Sequence, residues 1–318
     1  MSYMFWPVVL LINLVYLIAG FSLLILAGDK LVETSVRMAQ RWNIPASVIA
    51  VTLIASGTSA PELVTSFLAA LKESSEISIG NVIGSNIFNI LAVGGLSLAF
   101  QPNGKLKGSF FSWPLLIVAS FLFLILLYDL SLSRTDGILL VVGLLGFIVI
   151  SLLQQKSEEA ETEQDDKKVS TGRTFIFFLV SLCGLIFGAN LALTGGVEIG
   201  RLIGLSERVI AITIISVGTG LPELATSIAA SLRGHNDVAI ANILGSNVFN
   251  TLAIPGITAS FFTLGVSQKL LSFDMFVMLG ATFLIGLVFL LKSPAMKRGL
   301  GIIFFLLYSA YALKLLLM

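Results

Sequence analysis

Apolar residues fill this chain in long runs, and polar residues collect in short breaks between them. Runs of about 18 or more residues with hardly a charge predict membrane-spanning helices, since a helix satisfies its own backbone in hydrocarbon. The pattern predicts ten spans, near 4–27, 46–71, 78–100, 110–128, 136–154, 173–194, 208–231, 238–263, 271–291 and 298–317. Most connections are short. The exception is QQKSEEAETEQDDKKVSTGR at 154–173, with six acidic residues within 158–166. It reads as a solvated linker, because its acids lack EF-hand ligand spacing. The expected fold is an all-α integral membrane protein: a first five-helix half at 1–154, an acidic cytoplasmic linker at 155–172 and a second five-helix half at 173–318.

The chain is 56% hydrophobic and 12% charged, about half the charge of a soluble domain. A net charge of +1 without a basic tract gives no footprint for nucleic acid. One cysteine, Cys183, rules out an internal disulfide, and one histidine, His235, argues against a histidine-ligated zinc. Cys183 reads as a packing residue and His235 as a surface residue. The first 30 residues carry no early positive charge and are too long for a signal peptide, so a retained helix is expected. No HExxH pair or Ser–His arrangement suggests an enzyme, no cofactor is implied, and no obligate protein partner is evident. Lys and Arg number thirteen in the connections after spans 1, 3, 5, 7 and 9, and six on the other side. The richer side is expected to be cytoplasmic, with both termini outside the inner membrane.

A repeat changes the picture further. Residues 52–95 align without a gap to 213–256, at a constant offset of 161, and nearly half of the positions are identical. GTSAPE at 57–62 answers GTGLPE at 218–223, and GSNIFN at 84–89 answers GSNVFN at 245–250. Five spans per half is an odd number, so the second copy is expected to enter the membrane upside down. Inverted repeats of this kind build many secondary transporters.

Eighteen carboxylates are present, and only Glu62 and Glu223 fall well inside predicted spans. An ionised acid at that depth costs at least about 2.5–3.5 kcal/mol. Two equivalent acids, with no intramembrane Lys or Arg, suggest a bound cation, and a divalent ion would balance both. Thr58 precedes Glu62 by four residues and Thr219 precedes Glu223 by four, so each pair shares a helix face. Pro61 and Pro222 interrupt the helix beside them. Asn81, Ser85 and Asn89 recur every four residues, as do Asn242, Ser246 and Asn250, giving two polar stripes that need partners. Gly80 and Gly84 are expected to allow close helix approach. Oxygen ligands of these types suit Na⁺ or Ca²⁺ rather than zinc or copper.

Both motifs resemble the α-repeats of the sodium/calcium exchangers, in the calcium/cation antiporter superfamily. The GTSxPE…GNxxGSNxFN pattern, the five-plus-five layout and the LYDxxLSRxDG turn resemble its bacterial inner-membrane branch. The resemblance implies a Ca²⁺ site of Glu62, Glu223, Thr58 and Thr219. It implies one Na⁺ site from Ser59, Ser246 and the Ala55 carbonyl, and an opposite one from Ser85 and the Ser216 carbonyl. Asn89 and Asn250 would line the centre, and spans 1 and 6 would slide across a core of spans 2, 3, 7 and 8. Two positions depart from the family pattern. Gly220 stands where a serine is expected, and Asn250 where an aspartate is frequent. The expected function is exchange of Ca²⁺ against a monovalent cation, Na⁺ first and H⁺ through the two acids as the alternative. A cation channel is the rival class.

Overall fold

The computed structural model describes residues 6–100, 111–154, 171–204, 214 and 216–317. Apart from two short strands, its regular structure is helical. The first apolar run forms α1 (Trp6–Trp42), which continues well past the expected end at 27. The polar residues beyond that point pair along the helix: Lys30 and Arg37 both reach Glu33, at 2.9 and 2.8 Å. Such pairs three and four residues apart let a helix run on into water.

The second run is broken. α2 (Ala46–Ile49), a π-helical turn (Ala50–Ile54) and α3 (Ala55–Thr58) lead to Ser59, and α4 (Ala60–Leu71) follows at a bend of 41°. Pro61 sits in the first turn of α4, where its missing N–H costs nothing. α5 (Ser75–Ile87), a π turn (Phe88–Val93) and α6 (Gly94–Ala99) form one continuous span. Next come α7 (Ser112–Leu126), strand β1 (Ser131–Leu132) and α8 (Arg134–Gln154).

The second half opens on α9 (Thr171–Leu202), again longer than the 173–194 expected. α10 (Ser216–Thr219) and α11 (Leu221–Leu232) meet at Gly220, as α3 and α4 meet at Ser59. α12 (Asn236–Phe261), strand β2 (Leu264–Gly265), a π turn (Leu270–Asp274), α13 (Met275–Ile285), α14 (Leu287–Leu290) and α15 (Pro294–Leu317) complete the chain.

Seven helices among the described residues are long and apolar enough to cross a bilayer, and eight if the bent pair counts as one. The protein is therefore a multi-span membrane protein, but these residues do not give ten crossings. α7 is short, and most of the chain just before α10 lies outside them, including 208–213 and 215 of the expected seventh span. Residues 155–170 of the expected acidic linker lie outside them too.

Burial separates core from rim. The spans Ser75–Ala99 and Asn236–Phe261 are 83% and 94% buried along their apolar windows, against 17% for α1 and for α15. α1 and α9 touch backbone to backbone: a Cβ on Gly20 would fall 2.5 Å from the Ala192 nitrogen, and one on Gly195 would fall 2.6 Å from the Asn13 carbonyl. Repeat-related contacts recur elsewhere. Gly95 of α6 abuts Gly301 of α15, and Gly256, the repeat mate of Gly95, abuts Gly137 of α8.

The close approach expected at Gly80 and Gly84 belongs instead to the second copy. Gly245, the mate of Gly84, presses on the Val51 backbone, whereas no described residue comes within 4 Å of a Cβ at Gly84. The turn at Asp129–Asp136 is partly built into the fold, since β1 pairs antiparallel with β2 from the other half. Cys183, expected to pack inside, is exposed on α9, and His235 is the half-buried residue that precedes α12.

Candidate functional site

Each half brings its acid to the first turn of a helix that starts at a break. Glu62 opens α4 after Ser59 (φ −83°, ψ 7°), and Glu223 opens α11 after Gly220 (φ −86°, ψ 4°). The free N–H groups of a helix start favour negative charge, which offsets part of the burial cost. Both glutamates are fully buried, and their carboxyls lie close enough to act on each other electrostatically.

The contacts between halves cross over. Ser59 Oγ donates to Glu223 Oε1 at 2.9 Å, so the serine beside one acid serves the other. Thr58 and Ser246 also face the Glu223 carboxyl, although Ser246 completes no hydrogen bond. Thr58 Oγ1 donates to the Ala55 carbonyl at 3.3 Å, and the Ser59 amide donates to the same oxygen at 3.1 Å. That carbonyl is thus engaged within its own helix. Both Glu62 oxygens and Glu223 Oε2 lack a hydrogen-bond partner among the described side chains.

The polar stripes divide their work. Asn81 Nδ2 donates to the Glu62 carbonyl at 3.2 Å and to Ser66 Oγ at 2.9 Å, tying α5 to α4. Asn242 repeats the second bond, to Ser227 Oγ at 3.0 Å, tying α12 to α11. Asn86 Nδ2 donates to Thr251 Oγ1 at 3.1 Å and joins α5 to α12. Asn89 and Asn250 differ: both are fully buried, and both atoms of each amide lack a partner. Thr219 and Ser85 are buried at 6% exposure, and Ser216 begins α10.

The structure thus brings Glu62, Glu223, Thr58, Ser59 and Ser246 together between four helices. Sequence spacing alone did not show that Ser59 crosses to the opposite acid, that Ser66 and Ser227 anchor the asparagines, or that Asn86 meets Thr251. The repeat offers a signal for the second of these, because Ser66 and Ser227 match at the same offset as the asparagines. Buried, unpartnered oxygens on two facing acids, with hydroxyls and amides around them, suit a hard cation. They do not suit an apolar ligand.

Over residues 12–153 and 173–317 the chain matches a family model described as sodium/calcium exchanger protein. It is 31% identical to inner membrane protein YrbG of Escherichia coli K12 over 300 residues, 90% of this chain and 91% of that one. It is 26% identical to the sodium/calcium exchanger MaX1 of Methanosarcina acetivorans, with 96% and 98% of the two chains covered. Among solved structures, the sodium-calcium exchanger NCX_Mj soaked with 10 mM Na⁺ and 10 mM Sr²⁺ superposes at a TM-score of 0.82 and 28% identity, covering 95% of this chain and 97% of that one.

Proposed function

The chain belongs to the sodium/calcium exchanger protein family, and on that premise we propose that it is an antiporter moving Ca²⁺ against a monovalent cation, Na⁺ first, by alternating access. The observation that carries this reading is the pair of buried glutamates on broken helices, with three carboxyl oxygens lacking partners. A divalent ion there neutralises both acids at once. In this reading Glu62, Glu223, Thr58 and Thr219 hold Ca²⁺. Ser59 and Ser246, with the Ala55 carbonyl, flank it as one Na⁺ site, and Ser85 with the Ser216 carbonyl marks the other. Asn89 and Asn250, whose buried amides lack partners, line the centre in the same reading. Ca²⁺ and the monovalent ion compete for the same carboxylates, so binding one expels the other.

The chain is read as ten spans in two inverted halves, divided at 154 and 173, in the inner membrane with both termini outside. The repeated breaks and the repeated Gly–Gly contacts support the two-halves part of that reading. The pair α1 and α9, packed backbone to backbone, is the body that slides over the core.

Proton coupling is the second reading, and a specific observation favours it. Glu62 has no hydroxyl partner, because Gly220 stands where Ser59 does in the other half. A carboxyl with no other donor can take up a proton in place of a cation.

Ca²⁺ uptake into proteoliposomes under an imposed Na⁺ gradient, then under a pH gradient, tests both readings. Uptake driven by the first supports sodium exchange, and uptake driven only by the second supports proton exchange. Flux that never couples to a second gradient supports a channel. If Glu62→Gln and Glu223→Gln carry Ca²⁺ as the unmodified protein does, the assignment of the acids is wrong.

A further inference from the structure

The two halves differ most at one place beside the acids. Ser59 Oγ bonds Glu223, and its repeat mate is Gly220. The two residues share nearly the same torsions, −83°, 7° and −86°, 4°. A side chain at 220 would therefore leave its helix break toward Glu62 as Ser59 does toward Glu223. A φ of −86° is open to every L-residue, so the backbone does not demand glycine here.

What excludes a side chain is Phe88. A Cβ on Gly220 would lie 2.5 Å from Phe88 Cε1 and 2.6 Å from Cδ1. The Phe88 ring is 5% exposed and stands edge-to-face on Tyr308, with centroids 5.4 Å apart. Its repeat mate, Phe249, instead borders an apolar cavity of about 320 Å³ together with Thr52 and Ser56, so it has room to withdraw.

We propose that Phe88 is a specificity-determining residue, a plug that fills the volume a hydroxyl at position 220 would use and closes the Glu62 side to a monovalent cation. One monovalent site then keeps its hydroxyls, Ser59 and Ser246 at Glu223, while its repeat mate is filled by a ring edge. The inference rests on the exchange reading above and narrows it: of the two monovalent places named there, the one at Glu223 takes sodium and its mate, marked by Ser85 and the Ser216 carbonyl, does not.

The test compares the unmodified protein with Gly220→Ser, Phe88→Leu and the double variant. Two readouts are used: the shift of thermal unfolding as choline chloride is replaced by NaCl without Ca²⁺, and displacement of radioactive Ca²⁺ by Na⁺. Both single variants are expected to keep the unmodified response. The double variant is expected to gain a larger sodium-dependent shift and a Hill slope for displacement higher by about one. Gain of that response by Gly220→Ser alone overturns the proposal, because the ring would then not be the obstacle. An unchanged response in a folded double variant overturns it as well. Phe88→Met with Gly220→Ser is the substitute where Phe88→Leu does not fold. If the unmodified protein binds no Ca²⁺ at all, the exchange reading fails, and the sodium-dependent unfolding shift still decides the role of Phe88.

Discussion

Asn89 and Asn250 keep four amide atoms buried without partners, and each unmade bond of this kind costs about 1–3 kcal/mol. A fold under selection for stability alone has no use for them. Asn250→Leu is therefore expected to leave the unfolding temperature unchanged or raise it, while Ca²⁺ uptake falls about tenfold or more. Parallel loss of both would show Asn250 to be structural. Ser59→Ala removes a donor to a carboxyl, a bond worth about 1.5–3 kcal/mol if the acceptor is ionised. Sodium dependence of uptake is expected to weaken about tenfold, measured as the Na⁺ concentration for half-maximal exchange. At this scale the acids were legible, because a carboxylate deep in an apolar run, met twice at one offset, has few bland explanations. The partner of Ser59 was not. Local spacing sets it beside Glu62, whereas the bond reaches Glu223, 164 residues away. Phe88 was equally hidden, since an aromatic residue in an apolar run carries no mark of its own.

Among the elements, the breaks at Ser59 and Gly220 could be read from Pro61 and Pro222. The length of α1 could not. Asp29, Lys30, Glu33, Arg37 and Arg41 mark where the apolar run ends, but the pairing of Lys30 and Arg37 with Glu33 along the helix keeps it going to Trp42. Asp29 also binds Arg233, at the turn after α11, and so links the rim to the core. Equivalent glycines likewise take unequal roles. Gly245→Ala would drive a Cβ into the Val51 backbone, and overpacking of that kind costs about 1–3 kcal/mol. Gly84→Ala meets no described neighbour and gains helix propensity, up to about 1 kcal/mol. Thermal unfolding of the two variants is expected to move in opposite directions. The same sign for both would mean that the halves are packed alike.

At the scale of the whole molecule, the distinction between buried core and lipid-facing rim follows from polar content. α12 crosses with Asn242, Ser246, Asn247 and Asn250 fully buried, and only protein neighbours can house such a stripe. The ten crossings expected from hydropathy are only partly visible among the described residues, because α7 is short and 208–213 and 215 of the seventh span lie outside them. The proposal that α1 and α9 slide as one body makes a clear prediction. A Cβ on Gly184 would lie 3.1 Å from that of Ala27, a few tenths of an ångström inside the roughly 3.5–4.5 Å that a disulfide spans. Ala27→Cys with Gly184→Cys, in a Cys183→Ser background, is expected to cross-link and still exchange ions. Arrest of transport by the cross-link, reversed by reduction, would show that the two helices move against each other.

The short pairing of Ser131–Leu132 with Leu264–Gly265 has a consequence for biosynthesis. A ribosome delivers the first strand to the bilayer long before the second exists, and the bond from Ser59 to Glu223 likewise awaits residue 223. Contacts so distant along the chain close slowly and late. A nascent chain halted before its second half leaves Glu62 in the membrane without its opposite number. That unfinished half, with a buried carboxyl and open seams, is the state a cell's insertion and quality-control machinery has to shelter.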